Sequence, residues 1–254
     1  MKELTPLKKA EITTADFQAG VMLLVDKPKD WTSFDVVNKV RWALRKRLNV
    51  KKIKVGHSGT LDPMATGLLI LCIGKFTKKL SLLEGLPKSY HGTMKFGETT
   101  PSYDAESEVD GTFPIDHISK EFLIEKTEQF KGWIDQTPPM FSAIKVKGQP
   151  LYKLARKGIK IEIKSRKVEI TKYELPRVEM PEVDFEIDCS KGTYIRSLAY
   201  DLGKAADSGA HLIALRRTSI GDYSIEDAFD LKELVGLIHP EGVERTQSDS
   251  GERG

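Results

Sequence analysis

The sequence predicts an α+β fold, in which a mixed and largely antiparallel sheet is flanked by helices. Stretches with the two-residue period of half-buried strands are interspersed with stretches whose apolar residues recur every three or four positions, as on one face of a helix. The two kinds of stretch do not alternate regularly, which disfavours a doubly wound parallel sheet. With 254 residues, of which 39% are hydrophobic, the chain is long enough to bury a substantial core.

The N-terminal part of the chain predicts a strand followed by a helix. Residues 1–20 are polar and weakly patterned, so we expect a loosely held lead-in. The apolar run 21–25 predicts a buried strand that ends before Pro28, because proline cannot donate a hydrogen bond to a sheet. Thr32 or Ser33 is a suitable N-cap, so a helix is expected next.

Similar patterns predict the remaining elements. The segment 55–63 holds two glycines and a proline and is expected to be a loop. Strands are predicted at 68–74, 90–96, 140–146, 159–163, 183–187 and 211–215. Helices are predicted at 76–83, 117–130, 151–157 and 195–202. After residue 239 the sequence is polar, and we expect disorder there.

Composition and residue spacing exclude several classes of protein. No apolar run approaches the roughly 20 residues that span a bilayer, and the N-terminus lacks the apolar stretch of a signal peptide, so we expect a cytoplasmic protein without a membrane partner. Cys72 and Cys189 lie far apart in strand-like segments, which predicts buried thiols. The five histidines lack HxxxH or HExxH spacing, so no metal site is expected.

Charge is segregated along the chain, although the formal net charge is only +3. Six of the ten residues in 45–54 are Lys or Arg, and 145–167 holds nine basic residues against one acid. The segment 98–110 carries five acids and no base. Basic stretches suit a phosphate backbone, and Phe141 and Tyr152 offer rings for unpaired bases, so the pattern favours a nucleic-acid partner over a merely solvated lysine-rich face.

The loop 56–63 carries the best candidates for chemistry, because glycines let a backbone approach a ligand and polar groups converge on loops. Asp62 stands between a leucine and a proline and is less solvated than a surface carboxylate, which suits catalysis. Two alternatives stand beside this interpretation. Asp62 could form only an Asx turn, with His57 bonded to a carbonyl, or it could join His57 and Ser58 in a hydrolytic triad, which the absence of a GxSxG elbow disfavours.

Five blocks of the sequence resemble, in order, the motifs of the TruB family of pseudouridine synthases. They lie at 23–28, 56–69, 138–145, 151–158 and 189–198. The second block, GHSGTLDPMATGLL, resembles the catalytic signature of the family, and the resemblance runs from about residue 20 to 230. It implies the pseudouridine synthase fold and an enzyme that isomerises uridine 55 in the T loop (TΨC loop) of tRNA without a cofactor.

The resemblance also implies roles for single residues. Asp62 would be the catalytic aspartate, Arg196 the arginine paired with it, and Tyr90 the ring that stacks on the target uracil. The remaining substrate-binding positions would be Tyr194 and Leu215 in the pocket, His57 beside the flipped nucleotide and Lys27 in support of the site. Attack on the ribose, attack on the base and a glycal route all stay open.

The resemblance further implies a domain organisation and a partner. Residues 21–230 would form the catalytic domain, with a basic RNA-clamping insertion at about 141–167, and 231–254 would be a short polar tail without the usual C-terminal PUA domain. We expect a monomer that binds the T arm of tRNA without an obligatory protein partner. The RNA backbone would be contacted by Lys145, Lys147, Lys153, Arg156 and Lys157. An RNA-guided synthase of the dyskerin type and a non-catalytic tRNA-binding or tRNA-folding protein are the alternatives.

Overall fold

The computed structural model describes residues 4–13, 15–142, 144–146, 148–155, 157–159 and 161–239. The chain divides into two compact units. The first unit comprises Met1–Leu86 and Arg217–Gly254, and the second comprises Pro87–Arg216. In the described part of the chain, no helix combines the length and the hydropathy needed to cross a membrane.

The secondary structure contains strands and helices throughout both units. The strands are β1 Val21–Lys27, β2 Val55–Ser58, β3 Thr66–Ile73, β4 Lys88–Phe96, β5 Glu98–Thr99, β6 Gly111–Thr112, β7 Gly132–Gln136, β8 Lys145–Val146, β9 Gln149–Pro150, β10 Arg166–Glu174, β11 Val178–Glu179, β12 Glu182–Cys189, β13 Ala210–Ile220, β14 Tyr223–Ser224 and β15 Phe229–Asp230. The α-helices are α1 Ser33–Leu48, α2 Leu80–Glu84, α3 Lys120–Glu128, α4 Leu151–Ala155, α5 Ile195–Ala205 and α6 Leu231–Ile238. Short 3-10 helices cover Lys9–Glu11, Gly74–Lys79 and Ile225–Asp227.

In the first unit, β1 and β3 form an antiparallel pair that is buried on both faces. The pair runs in register from Val21 opposite Ile73 to Lys27 opposite Gly67, with β15 parallel to β1 and β2 antiparallel to β3. Alternate side chains enter two apolar clusters, one of which also contains residues of α1 and α6. Because both faces are covered, β1 and β3 are almost uninterrupted apolar runs rather than alternating ones.

Helix α1 forms where its cap predicts it. Thr32 accepts a hydrogen bond from the Asp35 amide, and the Asp35 carboxylate accepts one from the Thr32 amide in return, which makes a capping box. The helix ends at Asn49, whose left-handed conformation (φ 49°) lets its amide bond to the last carbonyls. Its buried stripe consists of Val36, Val37, Val40, Ala43 and Leu44.

In the second unit, β4, β12, β10 and β7 are joined by antiparallel pairs, and α3 packs against β10 and against α5. Strand β12 alternates as the sequence predicts, with Val183, Phe185 and Ile187 buried. Helix α5 presents Ile195, Leu198, Ala199 and Leu202 to the interior. The expected α+β class with a largely antiparallel set of strands is confirmed, and so are the buried, free thiols of Cys72 and Cys189.

The structure corrects two expectations about the ends of the chain. The lead-in 1–20 is not loose throughout, because the side chains of Ile12 and Phe17 are fully buried in the first unit. The segment 231–254 begins with α6, a helix whose apolar face is buried, and not with a polar tail. The expected disorder after residue 239 lies outside the described residues.

Three segments in the middle of the chain differ from prediction, because strand pairing determines where their strands form. The expected strand at 159–163 is absent from its described residues, and Ile159 is 46% exposed, because the strand that pairs with β7 and β12 begins later, at Arg166. The expected loop 55–63 starts with β2, since those residues pair with β3. The expected strand at 140–146 is reduced to Lys145–Val146.

A glycine at the start of β3 is predicted to be irreplaceable. Gly67 has φ +106°, and a Cβ there would lie 2.7 Å from the backbone nitrogen of Arg217. Gly132 has φ +78° but nothing within 4 Å of its Cβ position, so Gly132→Ala serves as the matched control for backbone strain alone. We expect Gly132→Ala to lower the free energy of unfolding by about 1–2 kcal/mol and Gly67→Ala by clearly more. Urea denaturation measures both, and equal losses would contradict the close approach.

Candidate active site

The motif loop that carries Asp62 is fixed by hydrogen bonds to its backbone within the first unit. The Ser33 hydroxyl, at the start of α1, accepts a hydrogen bond from the Leu61 amide (2.8 Å) and donates one to the Leu61 carbonyl (3.2 Å). The Asp30 amide donates to the Pro63 carbonyl at 2.9 Å, and the Ala65 amide donates to the Asp62 carbonyl at 3.1 Å. The backbone on both sides of Asp62 is therefore held, while its side chain is half-buried.

Lys27 binds the backbone of this loop from the end of β1. Its ammonium group is fully buried and donates to the carbonyls of Pro63 (3.2 Å), Trp31 (2.5 Å) and Pro28 (2.9 Å). An ammonium group has three donors and no acceptor, so three converging carbonyls satisfy it fully. The buried charge therefore ties the connection between β1 and α1 to the motif loop.

Arg217 is a second buried cation at the same loop, and sequence reasoning missed it. It is 1% exposed, its Nε donates to the Leu68 carbonyl (2.8 Å), and its Nη2 donates to the Gly59 carbonyl (3.1 Å). Those carbonyls flank the Asp62 segment on either side. The planar fork of an arginine holds two donor nitrogens at fixed, separate positions, whereas a lysine has a single donor nitrogen.

His57 lies in β2, which precedes Asp62 in the motif, and its imidazole is held in the neutral form. Burial lowers the pKa of its imidazole below the usual 6.5, and the nearby positive charge of Arg217 lowers it further. Its Nδ1 and the hydroxyl oxygen of the adjacent Ser58 are buried without a hydrogen-bond partner among the described residues. The imidazole is therefore neutral near pH 7, and the geometry of a Ser-His-Asp triad is not supported by any hydrogen bond between these side chains.

In the second unit, Tyr90 and Leu215 are buried strand residues. Tyr90 lies in β4 opposite Ile187 of β12 and is 8% exposed. Leu215 lies in β13 and is also 8% exposed.

Tyr194 is held at the N-terminus of α5 by a side chain from β7. The Gln136 amide donates to the Tyr194 carbonyl (3.0 Å), and its oxygen accepts from the Tyr194 amide (2.8 Å). The Arg166 guanidinium lies 4.5 Å from the centre of the Tyr194 ring and donates to the Gly192 carbonyl. Neither Gln136 nor Arg166 was identified from the sequence, because each contacts a residue far away along the chain.

Arg196 follows in α5 and is 4% exposed. Its Nη1 donates to the Ser102 carbonyl and its Nη2 to the Phe141 carbonyl, both at 2.9 Å. Its Nη1 also lies 3.5 Å from a carboxylate oxygen of Asp104, beyond hydrogen-bond distance but within that of an ion pair. The guanidinium is thus fixed by two carbonyls and a nearby negative charge.

Asp104 is a further residue that the sequence did not identify. It is 1% exposed, and its Oδ1 accepts from the Ser102 hydroxyl (2.5 Å) and the Glu106 amide (3.0 Å). The acidic segment 98–110 was its only signal in the sequence, and nothing there distinguished it from its neighbours. Its proximity to Arg196 compensates charge in the interior, where an unpaired ion is strongly destabilising.

Two of the predicted RNA-backbone residues are described at α4: Lys153 lies in this helix, and Lys157 lies two residues after its end. Lys153 and Lys157 are exposed, as phosphate contacts require. Lys145 lies in β8, whereas Lys147 and Arg156 lie outside the described residues. A cavity of about 350 Å³ in the second unit is bounded by this region and by the stacked rings of Tyr103 and Tyr200. None of the predicted site residues that the structure describes lines it.

The structure therefore groups the predicted site residues in two sets. Lys27, His57 and Asp62 belong to the first unit, and Tyr90, Tyr194, Arg196 and Leu215 belong to the second. Within the described ranges, no cluster of three or more His, Cys, Asp or Glu side chains is arranged to hold a metal ion.

Known proteins resemble this chain over most of its length. A protein from Flavobacterium johnsoniae named tRNA pseudouridine synthase B is 55% identical over 87% of this chain and 96% of its own length. A protein of the same name from Parabacteroides distasonis is 50% identical over 88% of this chain and 95% of its own length.

A solved structure shares the fold. It is described as a Cbf5-Nop10-Gar1 complex, and its matching chain superposes with a TM-score of 0.63 at 27% identity over 92% of this chain. This chain spans 59% of that protein's length.

Two family models match consecutive parts of the chain. Residues 45–195 match the N-terminal domain of the TruB family pseudouridylate synthases, and residues 196–247 match the tRNA pseudouridylate synthase B C-terminal domain. The first match contains the Asp62 loop, Tyr90 and Tyr194, and the second begins at Arg196 and contains Leu215. This chain belongs to the TruB family of pseudouridylate synthases.

Proposed function

We propose that this chain is a tRNA pseudouridine synthase that isomerises uridine 55 in the T loop of tRNA. The observation that carries the proposal is the half-buried Asp62 on a family motif loop whose backbone is fixed by Ser33, Lys27 and Arg217. The two relatives named tRNA pseudouridine synthase B support tRNA as the substrate.

The reaction makes limited chemical demands on the protein. It breaks the bond from ribose C1′ to N1 of uracil, turns the base, and forms a bond from C1′ to C5, so there is no net redox change or hydrolysis. One carboxylate, a pocket for the detached base and access to a flipped nucleotide satisfy these demands. We assign the carboxylate role to Asp62, which acts at the ribose or at the base.

The family resemblance assigns the remaining roles in this proposal. Tyr90 stacks on the target uracil, and Tyr194 and Leu215 bind the base. Arg196 is the arginine that the resemblance pairs with the catalytic aspartate, and such a pairing favours an ionised carboxylate. Its carbonyl partners Ser102 and Phe141 leave it little freedom, so the guanidinium is oriented before the substrate binds.

Binding rests on the T arm in this proposal. The flipped nucleotide leaves its stack, and the neutral imidazole of His57 contacts it without proton transfer. Exposed Lys153 and Lys157 contact phosphates, together with Lys145, Lys147 and Arg156. We further propose that the enzyme acts in the cytoplasm as a monomer, without metal, cofactor or an obligatory protein partner.

The first experiment tests the activity and the carboxylate together. The purified chain, without guide RNA or other proteins, is incubated with unmodified tRNA transcript and with an isolated T-arm hairpin, and pseudouridine is mapped. We expect product at uridine 55 of both RNAs from the native chain and none from Asp62→Asn, whose affinity for tRNA should stay within a few fold. Product from Asp62→Asn above the uncatalysed level would remove Asp62 from the mechanism, and a need for guide RNA would favour a dyskerin-type enzyme.

A second experiment tests the orienting role of Arg196. Arg196→Lys keeps the charge but cannot serve the Ser102 and Phe141 carbonyls with a fixed fork. Losing one charge-assisted hydrogen bond of about 1.5–3 kcal/mol should slow single-turnover product formation about 10- to 100-fold, with little change in tRNA affinity. Arg177→Lys, at an exposed arginine that pairs with Asp184, is the control and should leave the rate unchanged. Equal rates for the native chain and Arg196→Lys would contradict the assigned role.

A further inference from the structure

Phe34 is an exposed aromatic side chain that the proposed function leaves without a role. Its side chain is 59% exposed at the start of α1. Among the described residues of the first unit, Leu82 is the other large apolar side chain exposed to that extent. The capping hydrogen bonds of α1 are made by Thr32 and Asp35 and do not involve Phe34, so helix capping does not explain this side chain.

The position of Phe34 places it beside the motif loop. The preceding residue, Ser33, makes two hydrogen bonds to the backbone of Leu61, and Asp62 is the residue after Leu61. Both segments are therefore joined at neighbouring residues, and the exposed ring extends from the helix on the solvent side.

An arginine is fixed against the ring. The guanidinium carbon of Arg41 lies 5.8 Å from the centre of the Phe34 ring. Its Nη1 donates to the Asn38 side chain (2.7 Å) and its Nη2 to the Val55 carbonyl at the start of β2 (2.9 Å). Because these bonds anchor Arg41 to the strand that leads into the motif loop, the cation stays beside the ring.

A stripe along one face of α1 carries this ring together with two arginines. Phe34, Asn38, Arg41 and Arg45 are spaced at i, i+4, i+7 and i+11, which places them on one face. Arg45 is exposed, and exposed Lys46 lies next to it. The stripe therefore joins one ring to a row of positive charge.

We propose that this stripe is a base-stacking platform for RNA, on which Phe34 stacks an unpaired T-loop base that flanks the target uridine while Arg41 and Arg45 face the adjoining phosphates. The inference rests on the proposed function and adds to it a second nucleotide contact in the first unit. Aromatic and guanidinium planes are the groups on which proteins stack unpaired bases, and the fixed cations match the phosphate backbone.

Charge and area favour RNA over a protein partner at this stripe. A stable protein interface buries about 800 Å² on each partner and depletes charge from its centre. Here one ring stands next to arginines, so the apolar area is small and the charge is central. Both features suit a nucleotide, which brings one flat base and one phosphate.

The experiment compares Phe34→Ala, Phe34→Trp and Leu82→Ala in binding to a T-arm hairpin at fixed salt concentration. Phe34→Ala should weaken binding about tenfold, within the range for loss of one base–aromatic stack, whereas Phe34→Trp should bind at least as tightly as the native chain. Leu82→Ala removes an equally exposed apolar side chain in the same unit and should bind like the native chain. Thermal unfolding of all three variants should match that of the native chain, because both positions are exposed.

A series of hairpins, each with one abasic position in the loop, identifies the stacked base. Among the loop positions other than uridine 55, on whose base Tyr90 stacks in the proposed function, the native chain should lose about tenfold in affinity for one abasic hairpin, and Phe34→Ala should lose nothing further on it. A Phe34→Ala penalty that is the same for every abasic hairpin, or no penalty at all, would overturn the platform. Pseudouridine formation by the native chain is scored separately: its absence would refute the proposed function, while a base-specific Phe34 penalty would still show the stacking contact.

Discussion

The loop that carries Asp62 depends on two buried cations that bind backbone carbonyls. Lys27 reaches the Pro63 carbonyl after Asp62, and Arg217 reaches the Gly59 carbonyl before it and the Leu68 carbonyl beyond it. Buried carbonyls without partners would be unfavourable, and so would buried cations, so each requires the other. Lys27 lies at the end of β1, Arg217 lies in β13, and the Leu68 carbonyl that Arg217 binds lies in β3, so these strands hold both cations in place. A side chain at position 67 would collide with the backbone of Arg217, which explains the glycine there.

The same principle organises the second unit around the start of α5. Gln136 fixes the backbone of Tyr194, and Arg196 is fixed by the carbonyls of Ser102 and Phe141 beside Asp104. In both units the side chains assigned to chemistry are positioned by backbone hydrogen bonds of buried polar groups. Such groups need no reorganisation when substrate arrives, which is how an enzyme stabilises a changing charge distribution.

The sequence predicted those helices and strands whose formation depends on residues close together in the chain. The capping box of α1, the alternation in β12 and the apolar stripe of α5 are visible within a dozen residues, and the structure has all three. The segment 159–163 alternates equally well but is not a strand in its described residues, because a strand needs a neighbour and alternation does not supply one. Helix α6 was missed because the polar composition of the segment that follows it dominated the interpretation of 231–254.

The residues of the candidate site also fall into those that the sequence identified and those that it did not. The motif around Asp62 and the positions of Tyr90, Tyr194 and Arg196 were identified from the family resemblance, whereas Asp104, Gln136 and Arg217 were not. Their partners lie 92, 58 and 158 positions away along the chain, respectively, and a single sequence contains no signal for such pairs. Function therefore could be inferred from the motif, but the interactions that position its residues required the fold.

Whether the buried cations position the Asp62 loop for catalysis is measured most directly by the single-turnover rate of Arg217→Lys. Lysine keeps the buried charge, but its one donor nitrogen cannot take both places from which Nε binds the Leu68 carbonyl and Nη2 binds the Gly59 carbonyl. We expect a folded variant that binds tRNA within a few fold of the native chain and forms pseudouridine about 100-fold more slowly, the effect expected of a displacement of about 1 Å at a reacting group. A folded Arg217→Lys variant with the native rate would contradict this positioning role.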